Sequence, residues 1–179
     1  MLGHPLIAYS IKAGLDSKRI NRVIVSTDSE QIADVARQYG AEVPFMRPAE
    51  FAQDMSTDME MFVHALDWLK KNEDYVPDII VQLRPTSPVR SVGEIDECID
   101  KFISSNADSL RIVTPAPCTP YKMWTINEES DLMKPLLTLK DIKEPYNEPR
   151  QMLPKVYWQV GILDVIKTST SLEKKSLSG

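Results

Sequence analysis

Glycine is scarce in this sequence, six residues of 179. Neither G-x-G-x-x-G nor G-x-x-x-x-G-K occurs, so the chain has no Gly-rich backbone nest of the kind that cradles a triphosphate. Cysteine and histidine are scarcer still, with two of each. Cys98 and Cys118 form no C-x-x-C pair, and His4 and His64 complete no metal-ligand set. Free thiols fit a reducing cytoplasm, which is the expected location. No apolar run reaches the roughly 18 residues needed to cross a bilayer. Residues 1–5 show no basic stretch leading into an apolar one, so neither a signal peptide nor a membrane partner is expected. A basic excess is also missing. The net charge of −5 argues against nucleic acid as a partner and leaves room for a local basic pocket. No Ser/His/Asp set stands out.

What is present reads as an α/β chain of one domain. Pro5 suits the first turn of a helix over residues 6–15. Residues 22–26 read as a buried strand. Asp28 and Gln31 have capping-box spacing ahead of Ile32, Val35, Ala36 and Tyr39, and Gly40 closes that helix. Residues 42–46 read as a second strand. Thr57 and Glu60 form another capping box, followed by a stripe of Met59, Phe62, Val63, Leu66 and Leu69. Residues 78–83 are the most apolar strand, suited to cover on both faces. Ser91 and Glu94 open a helix to about residue 105, and residues 109–114 form a further strand. This alternation predicts a three-layer fold, a mostly parallel sheet with helices on both faces.

After Thr114 the texture changes. Pro115, Pro117, Pro120, Pro135, Pro145, Pro149 and Pro154 interrupt every helical pattern. Residues 115–154 are therefore expected to leave the sheet, with a short strand over 121–126. Residues 156–160 and 161–166 return to it, and residues 169–179 form a polar tail.

Ligands of open α/β sheets bind beyond the carboxyl ends of strands. That rule singles out Ser26-Thr27-Asp28, Arg47-Pro48 and Arg84-Pro85-Thr86-Ser87-Pro88. In the last of these, two prolines stiffen the backbone, Thr86 and Ser87 offer hydroxyls and N–H groups, and Arg84 and Arg90 supply charge. Such a loop suits an anionic, hydroxylated ligand. It equally suits a stiff turn whose hydroxyls cap the next helix. Arg150, between turn-forming residues, can clamp a carboxylate or make a surface ion pair. Lys122, beside Tyr121 and Trp124, can rest on aromatic faces.

Together these segments resemble the acylneuraminate cytidylyltransferases. The resemblance is carried by Gly3-His4-Pro5-Leu6-Ile7-Ala8-Tyr9, Val23-Ile24-Val25-Ser26-Thr27-Asp28, Tyr39-Gly40-Ala41-Glu42-Val43, Arg47-Pro48-Ala49-Glu50, Pro85-Thr86-Ser87-Pro88, and Pro149-Arg150-Gln151 with Leu153-Pro154. It implies a nucleotide-diphospho-sugar transferase-like fold, CTP and a sugar acid as partners, Mg²⁺ as cofactor, and a homodimer built through residues 115–154. It implies Arg47 beside the nucleotide and Arg84, Thr86 and Ser87 near the sugar. Lys122 and Arg150 would meet the sugar carboxylate, and Gln159 joins the substrate side. No catalytic residue and no metal ligand is assigned.

The chain departs from that pattern at three positions. Arg84 replaces a glutamine, Val160 an asparagine, and Asp164 an aromatic residue. The family's phosphate-binding loop, of the type A-R-x-G-S-K-G-x-x-x-K-N, would precede Gly3, and its metal-binding Asp-x-Asp would fall beyond Gly179. The expectation is that this chain alone binds CTP poorly. A non-catalytic shortened homologue that keeps the fold and dimer surface is the alternative. Transfer of a nucleotide to another sugar acid or sugar phosphate is a third.

Overall fold

The computed structural model describes residues 1–179. They form two compact units, Met1–Ile112 with Gly161–Gly179, and Val113–Val160. No helix is long and apolar enough to cross a membrane.

In the first unit, α1 (Leu6–Asp16) starts behind Pro5 and buries Ala8, Ser10, Ile11 and Ala13. The segments around residues 24 and 42 run side by side. Ile24 and Glu42 form a parallel bridge, and Val25 N donates to the Glu42 carbonyl at 2.9 Å. They are extended and paired over a shorter stretch than the two expected strands. Helix α2 (Glu30–Gln38) is capped by Ser29, whose side chain accepts from Ile32 N, rather than by Asp28. Its end is a Schellman turn. Gly40 takes φ +91°, its N–H donates to Arg37, and Ala41 N–H donates to Ala36. Helix α3 (Asp58–Glu73) opens with the Thr57–Glu60 capping box. It buries Phe62, Leu66 and Leu69, while Met59 and Val63 line an open groove.

Strand β1 (Ile79–Gln82) is half-buried along its length, because it lies at the edge of a three-stranded sheet. Helix α4 (Val92–Ser104) buries Ile95, Ile99 and Phe102, and its N-cap Ser91 makes no side-chain cap bond. The capping box expected there does not form. Strand β2 is Ser109–Pro115.

In the second unit, β3 (Trp124–Asn127) and β4 (Leu132–Pro135) make an antiparallel hairpin exposed along nearly its whole length. The start of the expected 121–126 strand is instead a short 3₁₀ turn, Pro120–Lys122. Pro120 lacks a ladder donor and sits readily in such a turn.

The return of the chain is one strand, β5 (Tyr157–Lys167). It enters the middle of the sheet, giving the order β1-β5-β2. It runs antiparallel to β1, with Ile79 opposite Lys167 and Gln82 opposite Asp164. Gly161 lets β5 take φ +64° at its midpoint, a value side chains rarely tolerate. The core gathers Ala13, Ile95, Ile99, Phe102, Leu163 and Val165. The tail is not simply solvated. It begins with α5 (Thr168–Leu172), in which Thr168, Thr170 and Ser171 are buried, and Thr170 Oγ1 donates to Asp108 at 3.2 Å.

Candidate functional site

The first candidate place lies where the 24–28 segment meets the segment after residue 42. Arg47 N donates to the Thr27 carbonyl at 2.8 Å. The Arg47 side chain folds onto the same segment. Its Nε donates to Ser26 Oγ at 3.1 Å and its Nη2 to the Ser26 carbonyl. His64 lies in the same neighbourhood, its ring packed edge-on against Phe45 at 5.0 Å and tilted against Phe51 at 5.6 Å. Burial, and then the charge of Arg47, push the His64 pKa below its usual value. Phe51, Met59, Val63, His64 and Trp68 line a groove of about 440 Å³.

The second place is the loop after β1. Ser87 N donates to the Arg84 carbonyl at 3.1 Å, closing a turn with Pro85 at its second position, where a fixed φ helps. Thr86 is exposed and Ser87 half-buried. Neither hydroxyl caps α4, whose first helical residue is Val92. The capping alternative for this loop is thereby removed. Arg84 Nη2 pairs with Asp58 and lies 3.3 Å from Gln82 Oε1 and 3.8 Å from Asp164 Oδ2. Gln82 precedes Arg84 by two positions in the same segment, and the antiparallel register brings in Asp164 by setting it opposite Gln82. Arg90 passes beneath the turn. Its Nη1 donates to Ser10 Oγ at 2.7 Å and its Nη2 to the Arg84 carbonyl at 2.8 Å.

In the second unit, Lys122 Nζ donates to the Tyr146 carbonyl at 3.1 Å. It is not held over a ring. The aromatic contact nearby is Trp124 with Tyr146, 4.6 Å between centroids, and the cation over a ring is Arg22 above Tyr75 at 4.7 Å. Arg150 Nη2 donates to the Ala116 carbonyl at 3.0 Å, at a cleft of about 350 Å³ lined also by Thr119, Leu153 and Tyr157. Gln159 is exposed on β5.

The structure thus joins Arg47 to Ser26, and Arg84 to Asp58, Asp164 and Arg90. Asp58 and Ser10 carried no sequence signal as site residues. Asp58 is 26 positions from Arg84 and Ser10 is 80 from Arg90, so no local pattern links them. No group of three or more His, Cys, Asp or Glu side chains converges on a cation position. Asp58 and Asp164, which converge on Arg84, and Glu42 and Glu73, which converge on Arg22, are already engaged by those guanidinium groups. The side chains thus offer no ready-made ligand cluster for Mg²⁺, a cation that takes one or two carboxylates and substrate phosphates rather than a full protein cage.

Comparison with known proteins gives a consistent result. The sequence profile described as "Cytidylyltransferase" matches residues 1–153. The chain is 36% identical over 151 residues to the CMP-N,N'-diacetyllegionaminic acid synthase of Legionella pneumophila, covering 83% of this chain and 62% of that protein. It therefore spans less than two thirds of that relative's length. It is 30% identical over 176 residues to the corresponding Campylobacter jejuni synthase, covering 97% of this chain and 71% of that one. The pseudaminic acid cytidylyltransferase of C. jejuni is 28% identical over 160 residues, with 89% and 66% covered. Among solved structures, a CMP:2-keto-3-deoxy-manno-octonic acid synthetase complexed with CTP superposes with a TM-score of 0.66. It shares 13% identity, over 98% of this chain and 68% of that one, and so bears on the fold alone.

Proposed function

The chain belongs to the cytidylyltransferase family, and on that premise we propose that it serves the transfer of CMP from CTP to a nonulosonic, sialic-type sugar acid. A sugar hydroxyl oxygen forms a bond to the α-phosphorus. The bond from that phosphorus to the β-phosphate oxygen breaks, pyrophosphate leaves, and the hydroxyl proton is lost. The observation that carries this reading is the family match over residues 1–153. It embraces both the Ser26–Arg47 junction and the turn at Thr86-Ser87.

Each residue has a part in the proposal. Arg47, braced on Ser26, faces the nucleotide. The turn of Arg84, Thr86 and Ser87 faces the sugar, with two hydroxyls to answer its own. Lys122 and Arg150 serve the sugar carboxylate, where a guanidinium can bind two oxygens at once, and Gln159 joins the substrate side. Mg²⁺ is the family's expected companion of CTP and, when bound, would offset phosphate charge. The location proposed is the cytoplasm, where CTP is made.

A homodimer through residues 115–154 completes the proposal. The large apolar side chains that one face of the hairpin leaves in solvent support it, with Ile126 63%, Met133 60% and Trp124 40% exposed. Such a cluster is usual at interfaces between chains. Light scattering should give twice the chain mass, and a monomer at high concentration argues against it.

Calorimetry with N-acetylneuraminate and with CTP plus Mg²⁺ tests the substrate assignment, together with mass spectrometry for a CMP-sugar acid after mixing all three. Binding of the sugar acid and of CTP, with the nucleotide sugar as product, supports it. A chain that binds neither the sugar acid nor CTP overturns it, whereas weak binding of CTP alone is the result expected from the sequence.

A further inference from the structure

Three side chains converge on the guanidinium of Arg84. Asp58, the first residue of α3, bonds its Nη2. Gln82 Oε1 lies 3.3 Å from the same nitrogen, and Asp164 Oδ2 lies 3.8 Å from it. Asp164 is 3% exposed, so one of the two carboxylates facing Arg84 is buried. The arm of Arg84 lies over Gly161 of β5, where a Cβ would stand 3.7 Å from Arg84 Cδ. Contact with that glycine and the bond to Asp58 hold the side chain from both ends.

The charge of Arg84 is therefore answered within the protein. A carboxylate brought against it would also stand near Asp58 and Asp164, and like charges repel. Its capacity to donate hydrogen bonds is not used up in the same way. Every bond its side chain makes runs through Nη2. Nε and Nη1 donate to no protein group, and the side chain remains 37% exposed. A guanidinium has donors and no acceptor. Its complement at a charge-balanced site is an uncharged oxygen that only accepts, such as an amide carbonyl. The hydroxyls of Thr86 and Ser87 both donate and accept, and so suit sugar hydroxyls instead. Arg84 and Asp164 are also two of the three positions at which the chain departs from the acylneuraminate pattern, and in the fold they stand side by side.

We propose that Arg84 is a specificity-determining residue that recognises the N-acyl carbonyl of an acylamino sugar acid, while Asp58 and Asp164 offset its attraction for carboxylates. This rests on the function proposed above, which leaves the sugar carboxylate to Lys122 and Arg150.

Calorimetry on the full chain compares N-acetylneuraminate with its analogue that carries a hydroxyl in place of the acetamido group. The two share one carboxylate. The wild type should bind N-acetylneuraminate about tenfold more tightly, the worth of one well-made hydrogen bond. Arg84→Met keeps an unbranched arm over Gly161 and removes every donor. It should lose the preference and bind the analogue as the wild type does. Equal weakening of both ligands would put Arg84 on a group they share, such as the carboxylate. That result overturns the proposal and leaves the function standing. An unchanged preference in the variant also overturns it, as does a wild type that does not distinguish the two ligands. A wild type that binds neither overturns the function and this inference together. If Arg84→Met does not fold, because Asp58 and Asp164 lose their partner, Arg84→Lys decides. It keeps the charge beside Asp58 and lacks the outward donors. A folded Arg84→Lys without the preference supports the proposal, and one that retains it overturns it.

Discussion

The two compact units treat apolar side chains differently. In the first, Ile95, Ile99, Phe102, Leu163 and Val165 are all at most 3% exposed, and helices cover the sheet. In the second, Trp124, Ile126, Leu132 and Met133 are open to solvent, and the buried apolar side chains are Pro145 and Leu153. The first unit therefore carries its own stability. The second has an apolar surface that burial would stabilise at about 25 cal/mol per Å² if another surface covered it. Apolar content alone does not say where a core is. What matters is whether the topology brings a second layer onto the face.

Breaking the core should have the largest effect. Phe102→Ala is expected to cost about 3–5 kcal/mol of unfolding free energy, because a cavity remains where the ring was. Urea denaturation followed by far-UV circular dichroism measures it, and a loss under 1 kcal/mol would mean that the α4 face is not the core.

Next comes the cap of α3. Thr57→Ala should cost about 1 kcal/mol, since it removes the acceptor for Glu60 N. Thr57→Ser should retain most of the stability, which a simple packing loss at this position would not do.

Arg22 offers a smaller, pH-dependent effect. It pairs with Glu42 and with Glu73 at 2.7 Å. Its hydrogen bond holds the Glu42 carboxyl below its usual pKa, against a smaller opposing effect of burial. Folding therefore gains from Glu42 above the ordinary glutamate range, and that gain is lost as pH falls through the depressed value. Both groups are partly exposed, so Arg22→Gln should cost only about 0.5–1 kcal/mol at neutral pH. The difference between variant and wild type should shrink in acid, and a difference that persists at pH 2 would exclude the pairing as its source. His64 acts in the same direction. Its lowered pKa removes stability as pH drops below the ordinary histidine value of about 6.5.

The smallest effect on unfolding is expected in the second unit. Ile126→Lys should change the unfolding free energy of dilute protein by no more than about 0.5 kcal/mol, as surface substitutions do. The same variant should shift the dimer proposed above toward monomer in sedimentation. If it unfolds the chain instead, Ile126 belongs to a core after all.

Much of the fold was legible because helices and turns are written locally. The α3 capping box occupies four consecutive residues, and the Schellman turn at Gly40 needs only a glycine after a helical stripe. The misreadings also have local causes. Ser29 took the cap from its neighbour Asp28, and Ser91 and Glu94 have box spacing without forming the bond. The tail looked solvated because hydroxyl residues are polar, yet Thr170 and Ser171 are fully buried. Polarity alone does not show that a distant carboxylate, Asp108, is there to receive a hydroxyl.

The site shows the same division. By itself the sequence determined the family, the helices with their stripes, and the hydroxyl-bearing turn after β1. Each rests on residue order or on spacings of a few positions, which the chain enforces directly. Only the tertiary structure decided the charge of that turn. Arg84 and Arg90 look alike in the sequence. One meets Asp164, which the antiparallel pairing of β5 with β1 brings near, and Asp58 at the start of α3, and the other meets only a serine and a carbonyl. Coulomb energy depends on distance and local dielectric, and both are set by where remote segments come to rest.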